Sequence, residues 1–153
     1  MTPRGRTNQL LYHAQLLLDT GWADDEHTDA RRMAHEEGAL ATLELALNAA
    51  LRELTEHAQL SRHDWRELLA DQGPALAGVV QLRELARREG SWLARLLARL
   101  EALHDIEGAA RRQTGDSSMI ASASGMALSD ELDACIAAFK AQLAELRETS
   151  EEW

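Results

Sequence analysis

From Met33 to Ala58 an apolar stripe recurs at helical spacing, seven residues and then steps of three and four: Met33, Leu40, Leu43, Leu47, Leu51, Leu54 and Ala58. That spacing puts every one of them on the same side of an α-helix, whereas a strand would scatter them over both faces. No proline or strong turn signal interrupts the run, so one helix is predicted over 30–59. At 1.5 Å per residue it is more than about 40 Å long. A helix of that length with an apolar stripe must be covered along it by other elements. The fold is therefore built around this segment.

The other elements are helical too. The chain of 153 residues holds 26 Leu and 27 Ala against two Val and three Ile. Leu and Ala lose little side-chain freedom in a helix, while β-branched residues favour strands. A first helix is predicted over 8–26, capped by Thr7 or Asn8, with Leu10, Leu11, Ala14, Leu17 and Leu18 on its inner face. Ser61 and Asp64 form a candidate capping box for a short helix through Trp65, Leu68 and Leu69. A third long segment is predicted over 75–112, with Pro74 in its first turn and a break at Gly90-Ser91. The last, over 129–149, opens on Ser129 and carries Leu132, Cys135, Ile136, Phe139, Leu143 and Leu146. Between the last two, residues 113–127 change to a small and polar composition, as expected of a mobile loop. The prediction is an all-α single domain over 1–153: a bundle of four main amphipathic helices with one or two short ones.

Charge and cysteine content restrict function. Sixteen Lys and Arg against 26 Asp and Glu give a net charge of −10, which opposes broad binding to a phosphate backbone, so a nucleic-acid partner is not expected. The single cysteine, Cys135, cannot form an intramolecular disulfide and suits a reducing cytoplasm. Met1–Gln9 is polar, so no signal peptide is expected, and no apolar run reaches membrane-spanning length. The expected location is the cytoplasm.

Arg6-Thr7-Asn8-Gln9-Leu10-Leu11-Tyr12 resembles the opening of an uncharacterised family of small helical gamma-proteobacterial proteins, whose members begin Arg-Thr-Asn-Gln-x-Leu-Tyr. Glu37-Gly38-Ala39-Leu40 and Ser91-Trp92-Leu93-Ala94-x-Leu96-Leu97 extend the likeness over most of the chain. The sequence departs from it at Ala41, Thr42 and Glu44, where members carry aromatics and a histidine. The resemblance implies a helical fold and no assigned activity.

Two constellations have catalytic or metal-binding form. Arg52 and His57 have the Arg-x4-His spacing of helical HEPN-type ribonucleases, in which an arginine holds phosphate while a histidine moves protons. Glu101 and His104 have the Glu-x-x-His spacing of di-metal bundles, with Glu44 as a possible bridging carboxylate. Both sets are incomplete, and Glu53 and Glu56 flank the first unfavourably. No cofactor is expected. Seven arginines between Arg83 and Arg112, against five acids, read as helix surface pairing or as a docking face for an acidic partner. Tyr12, Leu16 and Leu45 lie off the main stripes and are the candidate interaction residues. They point to a non-enzymatic protein-interaction module with an unidentified protein partner or a second copy of the chain; a hydrolytic enzyme is the alternative.

Overall fold

The computed structural model describes residues 1–21, 23–106, 108 and 127–151. Most of the loop expected at 113–127 lies outside them. Among the described residues all regular structure is helical: α1 Pro3–Asp19, α2 Thr28–Leu54, α3 Trp65–Leu68, α4 Ala77–Arg87, α5 Trp92–Leu103 and α6 Leu128–Glu151, with a 3-10 turn at Glu56–Ala58. The all-α fold class is as predicted.

The central helix α2 touches α1, α3, α4, α5 and α6. Its stripe is sealed: Leu40, Leu43, Leu47 and Leu51 have no exposed surface. Leu10, Leu11 and Ala14 close on it from α1, Leu93, Leu96 and Leu100 from α5, and Leu132, Ile136, Phe139 and Leu143 from α6. Burying each such leucine, isoleucine or phenylalanine stabilises the fold by roughly 1.5–3 kcal/mol, which is what holds the long helices together.

Helix ends depart from the sequence reading, each for a local reason. α1 begins at Pro3, five residues before the predicted start. The Thr2 hydroxyl accepts the Gly5 N–H at 2.9 Å, and proline at the first helical position lacks only an N–H that would go unpaired anyway. Thr7 and Asn8 are thus inside the helix rather than at its cap. The same helix stops at Asp19, because Thr20 turns extended and Gly21 follows. α2 ends at Leu54, not at 59. Thr55 closes it with its N–H and hydroxyl on the Leu51 carbonyl, and Gln59, in a left-handed conformation (φ 50°), turns the chain back. The cap of α3 is Asp64 rather than Ser61. Pro74 belongs to the preceding turn, since α4 starts at Ala77. α5 ends at Leu103, well short of 112. Ser129 lies within α6; Ala127 accepts the first intrahelical N–H, from Glu131.

The α4–α5 break forms as expected. Gly90 takes φ 80°, and Ser91 accepts the Ala94 N–H while its own hydroxyl donates to Leu85. The turn before α4 is held from inside by Arg83, whose guanidinium donates to the Leu68 carbonyl at 2.6 Å and to that of Pro74 at 3.0 Å. Gly73 is required there: a Cβ would stand 2.5 Å from the Leu68 oxygen.

Candidate functional site

α1 and α2 form an antiparallel hairpin, shown by Leu17 lying over Gly38 while Arg6 and Leu10 face Leu45 and Arg52. The chain leaving α2 then folds back over this pair, because the left-handed Gln59 reverses it. The result is a cleft of about 260 Å³ whose polar lining is Arg6, Asn48, Arg52 and His63, on an apolar base that includes Leu10 and Leu45.

Two of these polar groups, Asn48 and Arg6, are held by hydrogen bonds. Asn48 accepts the Trp65 backbone N–H at 2.9 Å through its carbonyl oxygen, which leaves its NH₂ to donate. Among the described residues the Arg6 guanidinium donates to a neutral amide, that of Gln9, at 2.6 Å. Arg52 makes no hydrogen bond or ion pair with any described residue. His63 is held below the ordinary histidine value of 6.5, first by burial and then by the charge of Arg52, and its buried Nδ1 has no partner. The linkage has a definite sign. The folded protein keeps His63 neutral while the unfolded chain takes up a proton near pH 6.5. Stability from this residue is therefore present above that pH and lost as the pH falls through the lowered folded value. Thermal melts between pH 7.5 and 5 should show a fall on acidification that is shallower in His63→Gln.

Arg52 and His57 do not come together in this cleft. His57 is exposed in the 3-10 turn, and the histidine beside Arg52 is His63. The spacing rule assumed that the helix continues through 57; it stops at 54.

Glu44 and His104 do meet, across α2 and the end of α5, at 2.8 Å. The other Glu44 oxygen accepts the Trp65 indole N–H at 2.9 Å and lies 3.6 Å from Arg66, whose guanidinium stacks on the same indole. Glu101 is exposed, and among the described residues no group of three or more His, Cys, Asp or Glu is placed to hold a metal ion. The geometry is that of a clasp fixing α3 and α5 to α2.

Of the seven arginines from Arg83 to Arg112, Arg111 and Arg112 lie outside the described residues, and several of the others are buried or paired. Arg83 is buried, Arg87 reaches Asp71, and Arg99 reaches Glu131. These carboxylates lie on other elements, not on the same helix. Beside Arg99, a groove of about 200 Å³ between α5 and α6 is floored partly by Cys135. Burial, and then the charge of Glu131, push its thiol up to about 12, so the thiolate needed for nucleophilic chemistry is not formed near neutral pH.

Among the described residues the exposed large apolar side chains are Tyr12 (60%), Leu16 (45%) and Leu45 (53%), with Met1 and Ile106. Among the described residues Tyr12 is therefore not part of the core; its ring lies 6.3 Å from the tilted ring of His13. One network escaped the sequence reading. Arg147 on α6 forks onto Glu53 at 2.6 and 3.0 Å and also donates to Asn8 at 3.1 Å. Nothing in the spacing of residues so far apart signals it.

These features define a small all-helical domain with an oriented cleft and a clasped centre. The chain belongs to a family of unknown function, DUF6586, whose profile matches residues 1–153. No curated protein and no solved structure matches it. Among the described residues no helix is long and apolar enough to cross a membrane.

Proposed function

We propose that this chain is a non-enzymatic protein-interaction module of the bacterial cytoplasm, which binds through the outer face of α1. The observation that carries this reading is the pair Tyr12 and Leu16, one helical turn apart and both exposed on a helix whose opposite face is fully buried. An amphipathic polar-tipped aromatic next to an exposed leucine is the composition of an interface centre rather than of a solvated helix face. Leu45, one helix away, adds a third exposed apolar side chain. The enzyme alternative has weaker support, because His57 does not line the cleft with Arg52 and no further described His, Cys, Asp or Glu joins Glu44 and His104.

A second copy of the chain is the simplest partner, and sedimentation velocity over a concentration series tests it. The expected result is a dimer that Tyr12→Asp and Leu16→Asp convert to monomer with unchanged helicity. For a chain that stays monomeric, a photo-crosslinking residue at position 12 should trap one protein in cells, and Leu16→Asp should abolish the adduct. A monomer that yields no specific adduct overturns the proposal.

A further inference from the structure

We propose that the cleft between the start of α1 and the end of α2 binds an oxyanion carried on an apolar body, and that an organic phosphate monoester is its best match. Arg6, Asn48, Arg52 and His63 line one small volume, and no carboxylate of the described residues lines it. The Asn48 carbonyl oxygen is taken by the Trp65 N–H, so donors outnumber free acceptors there. This is unusual in a chain with 26 acids and 16 bases. Arg31, Arg87, Arg99 and Arg147 each find a carboxylate, yet among the described residues Arg52 finds none and Arg6 has only a neutral amide. Two guanidiniums on one cleft, neither paired with a described carboxylate, form a receptor for a dianion.

His63 adds an independent sign. A buried ring nitrogen with no partner is destabilising unless something satisfies it. The neutral imidazole can donate one hydrogen bond to a bound oxyanion. A phosphate monoester carries a charge of about −1.5 to −2 near neutral pH and three acceptor oxygens, which suits two guanidiniums and two further donors. A carboxylate would leave half of that set unused. The apolar base formed by Leu10 and Leu45 requires something besides the anion, since inorganic phosphate leaves it wet. At about 260 Å³ the cleft is smaller than most ligand pockets, which run from about 300 to 1,000 Å³, and it suits a headgroup with a short apolar body. The inference shares Leu45 with the proposed interaction surface but does not use Tyr12 or Leu16, so it stands or fails separately from them.

The test is an amide-resolved NMR titration of the full chain at pH 7.5 with phenyl phosphate, inorganic phosphate and phenylacetate. Phenyl phosphate should give saturable shifts at Leu45, Asn48 and His63, with the other two probes binding more weakly. Arg6→Gln and Arg52→Gln, both at exposed positions, should each weaken binding about tenfold, the usual effect of losing one charge-assisted contact. Arg88→Gln, an exposed arginine away from the cleft, should leave it unchanged, and melting curves will show that the variants remain folded. Non-saturable shifts, or equal weakening by Arg88→Gln, would reduce the effect to diffuse charge attraction and overturn the proposal. Phenylacetate binding as tightly as phenyl phosphate would overturn the assignment to phosphate.

Discussion

Phe139→Ala should lower the stability of the fold by about 3–5 kcal/mol. Phe139 is 1% exposed, and its ring stacks on Trp92 at 4.9 Å between centroids and 28° between planes. The change removes a buried aromatic volume from the place where α6 meets α5, and the long helices on either side cannot collapse into the space. A domain of this size is stable by only about 5–15 kcal/mol in total, so the loss is a large fraction. Urea denaturation followed by circular dichroism measures it as a lower midpoint with a similar slope. Phe139→Leu keeps much of the volume and should lose clearly less. A loss under about 1 kcal/mol for the alanine variant would mean that α6 is not part of the cooperative core.

Arg147→Ala has the second large effect, about 3 kcal/mol or more, for a different reason. The Arg147 and Glu53 side chains are only 16% and 11% exposed, and the guanidinium forks onto both carboxylate oxygens. Removing the arginine leaves the Glu53 charge shielded from water with no partner, and frees the Asn8 carbonyl as well. Replacing both members by apolar residues, Glu53→Leu with Arg147→Met, removes the stranded charge and should restore most of the loss. A double variant as unstable as Arg147→Ala would mean that the arginine stem, and not the charge pairing, supplies the stability.

What the sequence made legible is the part governed by periodicity. The stripe from Leu40 to Leu51 and that from Leu132 to Leu146 are buried as their spacing requires, because a helix cannot show one face without hiding the other. The Gly90-Ser91 break was legible for the same local reason. Helix ends were less so: the Thr2 cap with Pro3 at the first position is a stronger start signal than the first leucine of a stripe. The cleft was the least legible part. Arg52 and His57 share a local pattern, but α2 stops between them, and Gln59 reverses the chain to bring His63 over instead. Contacts such as Glu44 with His104, or Arg147 with Asn8, join residues that only the assembled bundle makes neighbours.

The Arg147 fork also bears on the order in which the bundle assembles. α1 and α2 are joined by a short loop, whereas Asn8 and Arg147 are 139 residues apart along the chain. Closing a long span has an entropic penalty that contacts repay only once it is closed, so the α1–α2 hairpin pairs early and α6 docks on it late. Interactions made after the rate-limiting barrier alter the unfolding rate and leave the folding rate nearly untouched. Loss of Arg147 should therefore shorten the lifetime of the folded molecule by speeding its opening, with refolding from urea as fast as before. In kinetic terms the fork is a latch: it sets how long the bundle stays shut, not how quickly it closes.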